Sequence, residues 1–126
     1  MIAVDTSSMI AFFQGDEGED VKILRENIEV GNIVLPPLVL TELLSDHKLP
    51  MEILKLLIEL PLLEIKNGYW ERAGRLRAKI LAKKLKARVA DTFIAQSCLD
   101  NKVGLITRDG DFRKFAELTN LKLISQ

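Results

Sequence analysis

Short apolar runs recur along this chain, each separated from the next by a longer segment with helical periodicity, and this alternation limits the possible folds more than any other feature. The runs have the length and composition of strands and lie at 2–4, 32–35, 62–65, 103–106 and 121–124. Parallel strands require crossover connections, which are usually helices. We therefore expect an α/β fold with a central, mostly parallel sheet of about five short strands, flanked by helices on both faces.

The segments between these runs place apolar residues at three- and four-residue steps. The clearest example extends from Trp70 to Leu85 and predicts a helix over 69–86. Further helices are predicted over 7–14, 17–30, 38–45, 51–60, 91–101 and 111–117. No internal repeat, low-complexity tract or Gly/Ser linker interrupts the 126 residues, so we expect one domain spanning 1–126.

The composition excludes several classes of site and partner. Lys plus Arg and Asp plus Glu both number 18, so the net charge does not indicate a nucleic-acid or membrane partner. Cys98 is the only cysteine, which rules out an internal disulfide and argues against a cysteine-based zinc site. No apolar stretch approaches the roughly 18 residues of a membrane span, and Asp5 interrupts the first run before a secretory signal could form. We expect a cytoplasmic protein with no membrane partner.

Two aspartates follow predicted strands directly. Asp5 comes after the run at 2–4, and Asp109 follows the run at 103–106 after only two residues. In open parallel sheets, ligands bind beyond the carboxyl ends of the strands, where the strand order reverses. If these two strands are neighbours, both carboxylates project into the same crevice.

Two further acids stand in apolar surroundings. Glu42 interrupts the run 37–44, and Asp91 lies in 89–95 near the predicted start of a helix; each charge needs a partner if it is buried. Asp111, two residues after Asp109, is a fifth candidate. Acids gathered in this way repel one another unless a cation lies between them. Oxygen ligands without a His or Cys cluster favour Mg²⁺ or Mn²⁺.

Each of these residues, taken alone, also has an ordinary structural interpretation. Asp5 and Asp91 are compatible with helix N-caps, Glu42 with an ion pair, and Asp109-Gly110 with a turn. Other conspicuous side chains are expected to be structural: a buried Cys98, packed aromatic rings at Tyr69 and Trp70, and an exposed His47.

Other acid-bearing α/β classes fit less well. A receiver-type phosphorylation domain would have an aspartate after the third strand, where this chain has Lys66-Asn67-Gly68. A haloacid-dehalogenase-like phosphatase would have a second aspartate two residues after Asp5, and Ser7 occupies that position.

The order and spacing of four segments resemble the PIN-domain nucleases, and especially the small VapC-type toxin ribonucleases of bacteria and archaea. The segments are 2–7, 40–44, 90–95 and 105–112, so the resemblance spans essentially the whole chain. It implies that Asp5, Glu42, Asp91 and Asp109 form the catalytic acidic cluster. The same residues and Asp111 would bind metal, and Thr6 and Thr107 would be the hydroxyl residues that accompany them.

The function implied by this resemblance is Mg²⁺- or Mn²⁺-dependent endonucleolytic hydrolysis of RNA. A toxin of this kind would form a homodimer and would be inhibited by a small antitoxin protein. Segments 86–88 and 96–98 depart from the family pattern, which leaves the substrate preference open. The alternative is a non-catalytic PIN-like module that binds RNA or a protein.

The charged residues are unevenly distributed along the chain. Segment 71–88 contains eight basic residues and only one acid, Glu71, whereas 16–29 is rich in acids. The basic segment is interpreted either as a solvated helix face or as a phosphate-binding surface. Arg88, Arg108 and Arg113 are the residues expected to contact RNA.

Overall fold

A parallel four-stranded sheet organises the chain in the computed structural model, which describes residues 1–126. The strands are β1 (Ile2–Val4), β2 (Ile33–Val34), β3 (Leu105–Ile106) and β4 (Leu123–Ile124), in the order β2-β1-β3-β4. All three strand pairs are parallel. The predicted α/β architecture is confirmed.

Seven α-helices connect and cover these strands. They are α1 (Thr6–Phe13), α2 (Glu19–Glu29), α3 (Pro37–Leu44), α4 (Met51–Glu59), α5 (Tyr69–Ala82), α6 (Val89–Asn101) and α7 (Arg113–Leu118), with a 3-10 turn at Gly110–Phe112 before α7. None of them combines the length and the apolar composition that crossing a membrane requires.

The fifth predicted strand, at 62–65, is reduced to a single bridge. Leu62 pairs with Leu35, beyond the end of β2: Leu35 donates its N–H to the carbonyl of Pro61 and accepts the N–H of Leu63, both at 2.9 Å. Pro61 has no N–H to extend the ladder in one direction, and the turn before α5 begins a few residues later in the other. The segment therefore has strand-like composition without room for a longer ladder.

Helix α5 is shorter than predicted. It ends at Ala82 instead of residue 86, and Lys84 adopts a left-handed conformation with φ of 60°. Leu85, which continued the apolar pattern, is 42% exposed. The chain reverses over 83–88 so that α6 can begin at Val89.

The core is one cluster of 22 buried residues that includes residues of β1, β2 and β3, and the partly buried β4 packs against it. Ala3, Val4, Leu105 and Ile106 are fully buried, as expected for parallel strands that are covered on both faces. Cys98 is also fully buried, as predicted, and burial raises the pKa of its thiol.

The strand order places the end of β1 beside the end of β3. Ala3 pairs with Leu105 and Val4 with Ile106, while β2 lies on the other side of β1. From β1 the chain moves outward to β2 and then crosses back to β3. The crevice between the carboxyl ends of β1 and β3 is therefore the switch point at which α/β sheets bind ligands.

Candidate active site

Asp5 joins three elements at this crevice. It is the N-cap of α1, and its Oδ1 accepts the Ser8 backbone N–H at 3.2 Å and the Ser7 hydroxyl at 2.8 Å. Its Oδ2 accepts the Thr107 hydroxyl at 2.7 Å, which links β1 to the segment after β3. The side chain is 3% exposed, and burial raises its pKa, with the charge of Asp109 adding to the effect. Asp5 therefore caps α1, as one interpretation expected, and also lies at the crevice.

Thr107 also fixes Asp109. Its hydroxyl oxygen accepts the Asp109 N–H at 3.0 Å while the hydroxyl hydrogen points to Asp5. Asp109 Oδ1 accepts the N–H of Asp111 at 2.9 Å and so begins the 3-10 turn. Asp109 therefore makes the turn expected of Asp-Gly while its carboxylate stays at the crevice.

Asp91 approaches from α6. It is the third residue of the helix, whose N-cap is Arg88, so the interpretation of Asp91 as an N-cap is wrong. Asp91 is 9% exposed, and its Oδ2 is buried without any hydrogen-bond partner. Burial, followed by the charge of Asp109, raises its pKa to about 6, while Arg88 acts in the opposite direction. A buried, unpartnered carboxylate oxygen is costly unless it binds a cation.

Three carboxylates converge at this point. Oxygens of Asp91, Asp109 and Asp111 lie within 4.8 Å of one another, and Asp5 is near enough for its charge to raise the pKa of Asp91. Neither of the two ion pairs in the structure involves any of them. Oxygen donors at this spacing, one of them unsatisfied, fit a hard divalent cation such as Mg²⁺ or Mn²⁺.

Glu42 lies outside this group. The apolar sequence around it suggested a buried charge, but its side chain is exposed because it is on the outer face of α3. Its Oε1 accepts the Thr6 hydroxyl at 2.7 Å. Glu42 therefore reaches the crevice through Thr6, the residue after Asp5.

The three arginines expected to contact RNA differ in their surroundings. Arg88 is exposed beside Asp91, with no hydrogen-bond partner for its guanidinium. Arg113 donates to Gln126 at 3.0 Å. Arg108 donates to the carboxylate of Asp20 at 2.8 and 3.0 Å.

The basic segment divides into two groups. Arg72 pairs with Asp100, Arg77 donates to the carbonyl of Ala87, and Lys79 donates to the carbonyl of Leu118. The remaining cations are exposed and unpaired: Arg75, Lys83, Lys84, Lys86 and Arg88.

Two residues differ from their sequence interpretation. Asp20 was grouped with the acids of segment 16–29, yet it is only 6% exposed, whereas Glu17 and Glu19 are exposed. Its position next to Val21 and four residues before Leu24, both buried, was the available signal. Trp70 was expected to pack but is 61% exposed, lying edge-on to Phe93, whereas its neighbour Tyr69 is buried as predicted.

Replacing Thr107 by Val tests the link between Asp5 and Asp109. The change removes one donor and one acceptor at nearly constant volume, so we expect the protein to lose about 1 kcal/mol of stability. We also expect Mn²⁺ affinity to fall about tenfold, because a group that orients the carboxylates is lost. Thermal unfolding and calorimetric titration measure the two effects, with Thr107→Ser as the matched control. Equal Mn²⁺ affinity in Thr107→Val and the unsubstituted protein would contradict the link.

Fold and site together define a class, namely parallel α/β proteins with a carboxylate cluster at the switch point of the sheet. Within that class, the chain belongs to the PIN domain family, whose model matches residues 2–118. PIN domains are generally nucleases. The resemblance seen in the four sequence segments is confirmed.

Solved structures share this fold over nearly the full chain. VapBC2 from Rickettsia felis, bound to a DNA fragment from its promoter, aligns with a TM-score of 0.73 at 21% identity, covering 98% of both chains. VapBC-5 from Mycobacterium tuberculosis, a member of the VapBC family of toxin-antitoxin systems, aligns with a TM-score of 0.68 at 17% identity. The alignment covers 99% of this chain and 98% of that one. FitAcB from Neisseria gonorrhoeae aligns with a TM-score of 0.72 at 18% identity, covering 98% of this chain and 96% of that one. No curated protein sequence matches.

Proposed function

We propose that residues 1–126 form a single PIN nuclease domain that hydrolyses RNA phosphodiester bonds endonucleolytically with Mg²⁺ or Mn²⁺. The observation that supports this most strongly is the carboxylate cluster with the buried, unpartnered Oδ2 of Asp91. A module that only binds RNA gains nothing from gathering negative charge at the surface that faces phosphate. Hydrolysis, in contrast, uses carboxylates to hold the cation that phosphate chemistry needs.

The residues have distinct roles in this proposal. Asp91, Asp109 and Asp111 bind the ion together with Asp5, and Thr107 holds the carboxylate of Asp5 and the backbone of Asp109 in place. A bound divalent ion would lower the pKa of a water and offset the charge that develops on the phosphate. Glu42, oriented by Thr6, is proposed either to orient the attacking water or to hold a second ion.

RNA binding is assigned to cations around the crevice. Arg88 is the strongest candidate because its guanidinium is exposed, unpaired and next to Asp91 in the fold. Arg113 and Arg108 lie on the segment that follows β3 and are proposed to contact phosphates nearby. The unpaired lysines at 83–86 extend the positive surface from Arg88.

We further propose that this chain is a cytoplasmic toxin that forms a homodimer and is held inactive by a small antitoxin. VapBC-5, which it resembles in fold, is a member of a family of toxin-antitoxin systems. A groove of about 370 Å³ between α1, α3 and α4 supports the proposal of a bound antitoxin. Ile10, Phe13 and Ile53 line it, and Glu42 stands at its rim. An apolar segment of an antitoxin bound there would end beside the acidic crevice.

Cleavage of a labelled single-stranded RNA tests the proposal. We expect the purified chain to cut with Mg²⁺ or Mn²⁺ and to be inactive in EDTA, with activity restored when the metal is returned in excess. Cleavage that persists in EDTA would contradict metal dependence. RNA binding without cleavage under any metal, and without metal binding by calorimetry, would instead support the non-catalytic module.

A further inference from the structure

A partly buried ion pair lies beside the carboxylate cluster. Asp20, in the first turn of α2, is 6% exposed and accepts two hydrogen bonds from Arg108, at 2.8 Å from Nε and 3.0 Å from Nη2. Arg108 Nη2 also donates to the carbonyl of Glu17 at 3.0 Å. The pair thereby attaches the segment after β3 to the start of α2, two parts of the chain that are 88 residues apart.

Asp20 is connected to Asp5 by two routes. On one side, the Ser8 hydroxyl donates to Asp20 Oδ2 at 2.8 Å while the Ser8 backbone N–H donates to Asp5 Oδ1. On the other side, Arg108 stands between Thr107, which donates to Asp5, and Asp109. One carboxylate thus bonds to residues that follow both strand ends of the crevice.

The backbone at Gly18 leaves room for this pair. Gly18 has φ of +148°, a conformation that residues with a side chain rarely adopt. A Cβ there would lie 2.5 Å from Asp20 Oδ1 and 2.9 Å from Arg108 Nη2. Only glycine at this position allows the loop to pass this close to the pair.

We propose that Asp20 is a positioning residue for the active site: the Asp20–Arg108 pair, with Ser8, fixes Asp5 and Asp109 at the separation that metal binding requires. The metal-binding part rests on the proposed function. Asp20 itself contacts no member of the carboxylate cluster and acts through Ser8 and Arg108.

The chain contains a matched control. Asp100 accepts two hydrogen bonds from Arg72, at 2.9 and 2.6 Å, in a pair between α5 and α6. The side chains are 40% and 6% exposed in Arg72–Asp100, against 36% and 8% in Arg108–Asp20. Asp20→Asn and Asp100→Asn therefore remove the same charge from the same geometry, and only the first is connected to the cluster.

Amide hydrogen exchange of the metal-free protein is the first measurement. We expect the N–H groups of Ser8 and Asp109 to exchange about tenfold faster in Asp20→Asn, because their acceptors are no longer held in place. Exchange at both sites should be unchanged in Asp100→Asn. The second measurement is Mn²⁺ titration, in which we expect about 10- to 100-fold weaker binding for Asp20→Asn and no change for Asp100→Asn.

A double-mutant cycle separates positioning from direct phosphate contact. If the pair acts as one unit, Asp20→Asn combined with Arg108→Gln weakens Mn²⁺ binding no more than either single change. If Arg108 also contacts RNA, Arg108→Gln raises the KM for RNA in both the unsubstituted protein and Asp20→Asn. In Asp20→Asn this rise comes without a further loss of Mn²⁺ affinity.

The outcomes distinguish this inference from the proposed function. Equal exchange rates in Asp20→Asn and Asp100→Asn overturn the positioning role. Unchanged Mn²⁺ affinity in Asp20→Asn also overturns it, provided that the unsubstituted protein binds the ion. If the unsubstituted protein binds no Mn²⁺, the proposed function fails, and the exchange rates alone decide whether Asp20 orders the crevice.

Discussion

RNA cleavage is expected to fall by about 10³-fold or more in Asp91→Asn, equivalent to about 4 kcal/mol of lost transition-state stabilisation. Asparagine keeps the size of the side chain and removes the charge. Asp91 supplies the one buried, unpartnered carboxylate oxygen of the cluster. Its neutralisation therefore removes the metal ligand whose charge most needs a cation. Single-turnover cleavage at saturating metal measures the effect on chemistry apart from product release.

The control for this experiment lies on the same helix. Asp100→Asn makes the identical substitution at a carboxylate that pairs with Arg72, away from the cluster. It should lose some stability and retain cleavage at temperatures where it is folded. Activity of Asp91→Asn within tenfold of the unsubstituted protein would show that the cluster does not perform the reaction.

The same substitution should make the metal-free protein more stable. At pH 7 we expect Asp91→Asn to gain about 2 kcal/mol, after a discount for solvent that reaches the cluster, and a midpoint about 5–10 °C higher. The reason is that burial and Asp109 raise the pKa of Asp91 to about 6 from an ordinary value of 3.8. The folded protein thus holds an unfavourable charge at neutral pH.

The pH dependence gives the sign of this effect. A carboxyl group with a raised pKa in the folded state favours folding fully below its unfolded pKa, and that contribution is lost as the pH rises through the folded pKa. The gap in stability between Asp91→Asn and the unsubstituted protein should therefore be near zero at pH 4 and reach its full size by pH 7. Chemical denaturation at several pH values in EDTA measures it. A gap that is constant or shrinks with rising pH would contradict the assignment.

Added metal should make the unsubstituted protein more stable than Asp91→Asn. A ligand that binds only the folded state stabilises it by an amount that grows with its concentration. Excess Mn²⁺ should therefore raise the unfolding midpoint of the unsubstituted protein and have little effect on Asp91→Asn.

The strand-end acids could be predicted because they depend on topology alone. Asp5 and Asp109 each follow an apolar run, and in a parallel sheet the ends of neighbouring strands share one edge. The sequence did not reveal that β1 and β3 are neighbours. The family resemblance implied that Asp5 and Asp109 belong to one cluster, and the pairing of Val4 with Ile106 shows that the two strands are adjacent.

Other features depend on which face of a helix a residue occupies. Glu42 has mostly apolar neighbours in sequence, but α3 turns it outward to Thr6. Asp20 lies among exposed acids, but α2 turns it inward to Arg108. A composition-based interpretation averages over the helix and assigns both residues to the wrong environment, whereas the period of the buried residues around each one identifies its face.

Anomalous diffraction from crystals soaked in Mn²⁺ tests the central claim most directly, because it locates the ion independently of any activity. We predict a single strong peak, or a close pair of peaks, bonded to carboxylate oxygens of Asp91 and Asp109 at the crevice between β1 and β3, and no peak there in Asp91→Asn. Absence of a peak at the crevice in the unsubstituted protein at saturating Mn²⁺, or a peak only at unrelated surface carboxylates, would contradict the account.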